Sequence, residues 1–416
     1  MPSLLAYASR RLAGFSLALG ALVLAAGPAP AAVTIHCLDV GQGDASLIVS
    51  SSGKTLLFDG GDNYKGTNVV VPYLNALGIG QLNYIVASHY HADHLGGIDE
   101  VWNAKGPVLD AVYDRGWSYT TATYTTYATL VAAKRITLTD LQVIDLGDGV
   151  TATVVALNGN GLLAPPFTDG ANDENDFCVG LHVQSGDFDF FQAGDLSGIT
   201  DSYYNNIEIS VGPRLGDIEV YRVSHHGSYS ASNATFLATV QPEVAIISVG
   251  NNSYGHPAQI TLDRLAFAGA FVYQTEPGDG GTLPANQLTV VNGHIVIASD
   301  GYGDYTVNGQ AWAMDEPDLT PVPLADPFIL AGNAPNPFNP LTSIRFSTFR
   351  GGAVRLTVYD LAGRSVGERQ ATVEPGEATL AWDARGADGR PLPSGTYLYR
   401  VITTDGTGAG RMTLVR

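Results

Sequence analysis

The stretch SHYHADHLGG, residues 88–97, constrains this chain more than any other. Three histidines and an aspartate fall in the six positions from 89 to 94, at the end of the apolar run NYIVAS. A strand of that composition fixes the backbone up to its last residue, and the loop beyond it exposes side chains. Imidazole nitrogens and carboxylate oxygens are the ligands suited to zinc, manganese or iron. A single pair of histidines is commonly structural. His89, His91, Asp93 and His94 together are read as a metal-binding group at a strand end.

Around this group, residues 33–312 alternate two kinds of segment. VTIHCLDVG, DASLIVSS, TLLFDGG, LNYIVASH, FCVGLHVQ, FDFFQAGD, IEVYRVSHH and VAIISVG read as short strands rich in β-branched and aromatic residues. Helical spacing of apolar residues marks NVVVPYLNALG (68–78), the segment after HLGG, and ITLDRLAFAG (260–269). The alternation predicts a layered α/β domain. YTTATYTTYATLVAAK, residues 119–134, reads as an exposed β edge or loop, with the lining of a substrate groove as the alternative.

The two ends of the chain carry different signals. Arg10, Arg11, the apolar run LAGFSLALGALVLAA and the small residues before Ala32 form an export signal over residues 1–32. The run is short for a membrane span, so cleavage near Ala32 or Val33, without stable membrane insertion, is expected. In an exported chain Cys37 and Cys178 are open either to a disulfide or to a life as two buried thiols. Residues 313–334 are loaded with proline and asparagine, as linkers are. Residues 335–416 then hold TSIRFSTF, VRLTVYDL, ATLAWDA and TYLYRVIT, alternating strands that predict a small all-β sandwich.

His89-x-His91-x-Asp93-His94 matches the signature of the metallo-β-lactamase superfamily, which the chain resembles in motif order. The resemblance implies a four-layer αβ/βα sandwich holding two divalent metal ions, zinc or manganese. It places His89 and His91 on the first metal, Asp93 and His94 on the second, Asp195 between them, and His225 as the remaining ligand of the second. Asp59, in LLFDGG, is implied to hydrogen-bond within the site. DVGQGDAS, SHHGS and SVGNNSYGHP narrow the resemblance to the hydrolase domain of ComEC-type competence proteins and their stand-alone secreted relatives.

The chain departs from the wider family where a third histidine would serve the first metal. Asn175 and Asp176 stand there, and Asn175 matches the competence-type pattern. His182, in mid-strand, is read as a packed core histidine. Gln42 and Asp44, in the Gly-flanked DVGQGD turn, are expected at the site rim or else serve the turn alone, and Asp39 is similar. APNPFNPLTSIRFS, VRLTVYDLAGRSV and PSGTYLYRV resemble the immunoglobulin-like sorting domain of the type IX export route, whose fold is shared with the flagellar hook-capping protein. That resemblance implies export machinery as a partner and a secreted or cell-surface location.

Two neighbouring cations lower the pKa of a bridging water and neutralise charge on a leaving oxygen. Phosphodiester hydrolysis suits them, with Asp93 and Asp195 at the reacting centre and His226 and His256 as candidates to touch a phosphate oxygen or protonate the leaving group. The expected function is a metal-dependent phosphodiesterase acting on extracellular DNA. Hydrolysis of a lactone, lactam or thioester, and a non-enzymatic envelope protein with a retired metal site, are the alternatives. Charge works against the DNA reading: residues 33–312 hold 9 Lys and Arg against 29 Asp and Glu, a formal charge of −20. Proteins that grip long nucleic acid present a basic footprint. A small local patch, an adaptation to salt, or a small phosphodiester substrate would each accommodate that acidity.

Overall fold

The computed structural model describes residues 32–161, 173–200, 203–314, 328–348, 352–361, 363–374, 376–386, 389–403 and 407–416. The export signal, apart from Ala32, and residues 315–327 of the expected linker lie outside the described residues.

Two large sheets face each other. The first runs from edge to edge through Gln310–Ala313, Asp304–Val307, Ile295–Ser299, Val33–Cys37, Ser46–Ser50, Thr55–Phe58, Tyr84–Val86, Ala111–Asp114 and Arg135–Thr137. The second runs through Leu288–Val290, Phe271–Gln274, Val244–Ile247, Val220–Arg222, Phe188–Gln192, Gly180–Ser185, Val150–Ala156 and Val143–Asp145.

The residue pattern along each strand explains why four layers form. Successive side chains of a strand point to opposite faces. Leu56 and Phe58 enter the core between the sheets, whereas Leu57 enters the core beneath the helices of the first sheet. Val244 and Ile246 likewise face between the sheets, and Ala245 and Ile247 face the helices of the second sheet. Central strands such as these are therefore apolar throughout, because both of their faces are covered. Burying each Val, Leu, Ile or Phe stabilises the fold by about 1.5–3 kcal/mol. Helices Val71–Ala76, Ile98–Lys105 and Ala122–Leu130 cover the first sheet, and Glu208–Leu215, Ala234–Val240 and Gln259–Phe267 cover the second. This is the four-layer α/β arrangement expected.

The helix Ala122–Leu130 corrects the reading of residues 119–134 as a β edge or loop. Thr121 caps it by accepting the Tyr124 N–H at 3.2 Å, and Tyr124, Tyr127 and Val131 bury one face. Threonine and tyrosine favour strands on average, but burial of one helical face outweighs a preference worth only tenths of a kilocalorie per residue.

The C-terminal region is a sandwich of a three-stranded and a four-stranded sheet. Its core gathers Trp382, Tyr399, Leu356, Ile344 and Met412. The strand Phe328–Ala334 pairs with Thr342–Thr348, so this sandwich begins within the stretch read as linker. Cys37 and Cys178 are both buried and free.

Candidate metal centre

The functional side chains follow the carboxyl ends of parallel strands, where a crevice opens in sheets of this kind. Asp59 follows Thr55–Phe58, and His89 to His94 follow the parallel neighbour Tyr84–Val86. From the second sheet, Asp195 follows Phe188–Gln192, His225 and His226 follow Val220–Arg222, and His256 lies in the loop after Val244–Ile247.

Local backbone shape then aims them. His91 is extended, and the short helix Ala92–Leu95 begins directly after it. The chain thus turns between the His89/His91 pair and the Asp93/His94 pair. His225 and His226 both adopt left-handed conformations, with φ of 53° and 51°. That conformation strains non-glycine residues and is held here by the surrounding structure. Gly43, at φ 142°, lets the DVGQGD turn approach the ligand loop: a Cβ there would lie 2.6 Å from the Asp93 carbonyl oxygen, which accepts the Asp44 N–H at 3.0 Å.

Asp195 stands at the centre. Its Oδ1 lies 3.0 Å from His94 Nε2 and 3.5 Å from His226 Nε2. Its Oδ2 lies 3.6 Å from His225 Nε2 and 4.0 Å from His89 Nε2. His226 Nε2 is also 3.3 Å from Asp93 Oδ2. Two groups with metal-ligating atoms within 4.8 Å of one another share Asp195: Asp93, His94 and His226 on one side, His89 and His91 on the other.

The far nitrogens show why the near ones converge. His94 Nδ1 donates to Asp59 Oδ2 at 2.9 Å, and His226 Nδ1 to the Ser248 carbonyl at 3.0 Å. His89 Nδ1 meets Ser88 Oγ at 3.0 Å, and His225 Nδ1 meets Ser230 Oγ at 3.2 Å. With Nδ1 engaged, each ring presents Nε2 to the centre, the orientation that outer partners impose on metal-ligating histidines. Nε2 of His89, His94 and His226 and Oδ1 of Asp195 are buried with no hydrogen bond of proper geometry. Leaving such atoms unsatisfied is costly unless a cation joins them. The donor set and its orphaned atoms fit divalent metal.

Charge states follow from the same packing. Burial opposes the Asp195 carboxylate, but His94, His225 and His226 around it hold it well below the usual range. Burial pushes Asp59 up to about 6 against the hydrogen bond from His94. Burial, reinforced by His225 and His226, takes His256 down to about 3.

Several expected placements change. The second group is completed by His226, not His225: the two consecutive left-handed residues send the neighbouring rings to opposite oxygens of Asp195. His225 faces the side where the third histidine is missing. Asp44 is not at the rim but buried behind the site, its Oδ1 accepting from Arg222 Nη2 at 2.5 Å. That ion pair joins the two sheets. Gln42 packs against the 250 loop, with Gly250 N–H 3.4 Å from its Oε1. Asp39 serves its turn, accepting the Gly41 N–H at 3.2 Å. Asn175 reaches the site, its amide 3.4 Å from His225 Nε2. Asp176 instead holds Asn205, and His182 bonds Asp189 at 2.6 Å between adjacent strands. His256 lies with its ring 5.5 Å from that of His225 and 6.2 Å from that of His226.

Other supports went unread in the sequence. Arg115 forms a buried two-pronged pair with Glu174, whose Oε1 also accepts the Tyr90 N–H at 2.9 Å inside the ligand loop. No local pattern announces it, since Arg115 and Glu174 meet only through the fold. The serines of SHHGSYSAS were the one available signal, and Ser230 is among them.

The model of the metallo-beta-lactamase superfamily matches residues 38–250, and that of the FlgD Ig-like domain matches residues 350–407. ComE operon protein 3 of Bacillus subtilis (strain 168) is 26% identical over 248 residues, covering 56% of this chain and 30% of that protein. Competence protein ComA of Neisseria gonorrhoeae is 29% identical over 249 residues, covering 59% and 31%. The chain thus spans about a third of the length of these relatives. Among solved structures, the metallo-beta-lactamase fold protein YhfI from Bacillus subtilis is 13% identical with a TM-score of 0.37, covering 58% of this chain and 95% of that one. The superfamily model takes in just over half of the chain, from directly after the first strand, Val33–Cys37, through both histidine loops, and so includes every residue of the His/Asp cluster at the strand ends: the chain belongs to the metallo-β-lactamase superfamily of metal-dependent hydrolases.

Proposed function

We propose that this chain is a phosphodiesterase that uses two divalent metal ions, zinc or manganese, and that its substrate is DNA outside the cell. The observation that carries the proposal is the divided Asp195 carboxylate, one oxygen facing His94 and His226 and the other facing His89 and His225. His89, His91 and Asp195 would hold one ion, and Asp93, His94, His226 and Asp195 the other. Ions held so would supply an activated water and neutralise charge on the leaving oxygen. The protein's own share is orientation. Asp59 and Ser248 fix the rings of His94 and His226, and His256, beside both histidines of SHHGS, is placed to contact a phosphate oxygen. The competence-protein relatives support a nucleic-acid substrate.

Purified protein supplied with manganese or zinc should release nitrophenol from bis(p-nitrophenyl) phosphate and lose that activity to a chelator. Protein that binds metal yet cleaves neither this ester nor single- or double-stranded DNA would sink the proposal. Turnover of a lactone, lactam or thioester panel instead would move the function to that class.

The same proposal makes the C-terminal sandwich an export and surface-attachment module that meets the secretion machinery. Its sequence motifs support this, and among the described residues every metal-type cluster lies outside it. Truncation after residue 314, which removes the whole sandwich including its strand Phe328–Ala334, should keep the protein from the medium and the cell surface without abolishing hydrolysis. No helix among the described residues is long and apolar enough to cross a membrane.

A further inference from the structure

Tyrosines rim the ligand cluster, each beside a different histidine. Tyr254 is 75% exposed, with its ring centroid 5.6 Å from His256 and the two planes tilted by 31°. Tyr119, half-buried, lies edge-on 6.2 Å from His91. Tyr204, also half-buried, lies edge-on 6.0 Å from His225.

Tyr254 is exposed without being loosely held. The Asn252 side-chain oxygen accepts the N–H groups of both Tyr254 and His256 at 3.0 Å, and its amide donates to the carbonyls of Gly250 and His256 at 2.9 Å. One asparagine thus fixes the backbone of the tyrosine and of the histidine as a unit, with the tyrosine ring directed into solvent beside His256. A large aromatic ring kept in water gains little for folding, so this ordering has its use in a ligand.

The cations point the same way. Arg115, Arg135, Arg214 and Arg222 all sit in ion pairs with carboxylates. Little positive charge remains in residues 33–312 to track a phosphate backbone. Single-strand binders add to phosphate contacts the stacking of bases on aromatic rings, worth about 1–3 kcal/mol per base, and that part of the affinity requires no cation.

We infer that Tyr254, with Tyr119 and Tyr204, forms a stacking rim that presents the unpaired bases of single-stranded nucleic acid to the metal centre. This rests on the phosphodiesterase reading and names its substrate form. Bases inside a duplex have no free face to offer, so double-stranded DNA is the poorer ligand. Single-strand binders normally combine stacking with a basic groove and depend steeply on salt; with so few free cations here, a weaker dependence is expected.

The test is anisotropy of the full chain, in chelator, with a labelled short oligothymidylate and with an abasic sugar–phosphate strand of equal length. The abasic strand should bind about tenfold or more weakly. Tyr254→Ala should weaken oligothymidylate binding to a similar degree and leave the abasic strand unchanged, while Tyr254→Phe should restore it. Equal binding of the two strands, binding of neither, a Tyr254→Ala effect common to both, or a steep salt dependence overturns the inference. Hydrolysis of bis(p-nitrophenyl) phosphate by the same preparation separates the two claims. If it persists while base dependence is absent, the rim fails alone; if it is absent while base dependence persists, the phosphodiesterase reading fails and the rim stands.

Discussion

The two oxygens of Asp195 face sides of unequal construction. On the Oδ1 side, His94 and His226 are braced by the Asp59 carboxylate and the Ser248 carbonyl. Neither acceptor can donate, so both Nδ1 atoms carry a proton and both Nε2 atoms are left as the ones that would offer a lone pair to an ion. On the Oδ2 side, His225 is braced by the Ser230 hydroxyl, which accepts or donates as the ring requires, while His89 is braced by the Ser88 hydroxyl, whose own proton goes to Asp59 Oδ2 at 2.6 Å. Each side has one half-buried ligand, Asp93 on the Oδ1 side and His91 on the other, but His226 completes the first while no third family histidine joins His89 and His91. One side is built as a fixed ligand set and the other as an adjustable one. The second should bind its ion more weakly and exchange it faster.

The change expected to do most is the one that removes the shared feature. Asp195→Asn should empty both sides together and lower kcat/KM by more than about 100-fold, beyond what loss of an outer support does. Metal analysis after gel filtration reads the stoichiometry. Retention of one tightly bound ion would mean that the sides do not share this carboxylate.

Next come the braces themselves. Asp59→Asn should cost about 10- to 100-fold in affinity for one ion, because the amide no longer offers His94 a charged acceptor. Ser230→Ala should cost less than about tenfold, since it removes a neutral partner of the His225 ring rather than a charged one. A competitive chelator titration of both variants compares the sides directly, and equal losses would mean that the two sides hold their ions alike. His225→Ala falls between them: it should weaken only the more readily exchanged ion, by about tenfold, and leave the tighter ion in place. Loss of the tighter ion in this variant would return His225 to the second group.

The same asymmetry separates what the sequence could reveal from what it could not. His89, His91, Asp93 and His94 are legible because one strand end and one turn place them, and local sequence encodes local geometry. The four layers are legible for a similar reason, since continuous apolar strands such as VAIISVG need cover on both faces. The division of labour between His225 and His226 is different. It depends on two consecutive left-handed residues, a conformation that sequence alone does not assign to histidine. The Asp44–Arg222 pair was hidden as well, because its partners lie 178 positions apart and meet only when the sheets close. Residues 119–134 misled through strand propensity, which burial of Tyr124 and Tyr127 overrode.

The smallest expected effect concerns the support of the adjustable side. Glu208, fully buried, accepts the N–H groups of Ser232 and Asn233 at 2.7 and 2.8 Å, just beyond the Ser230 that meets His225. Burial pushes its carboxyl up from 4.5 to about 7, against those hydrogen bonds. A folded pKa above the unfolded one means that the folded chain keeps a proton that the unfolded chain has released. The stabilising contribution is therefore complete below about 4.5 and is lost as pH rises through about 7. Glu219, also raised to about 7, adds to the same trend, so the informative quantity is the difference between wild type and a single variant. Glu208→Gln should flatten the fall in unfolding temperature across this window, with little change in metal stoichiometry. A variant as pH-sensitive as the wild type would place the titration elsewhere, and one that lost an ion would show that this carboxylate holds the His225 loop more tightly than its distance from Asp195 suggests.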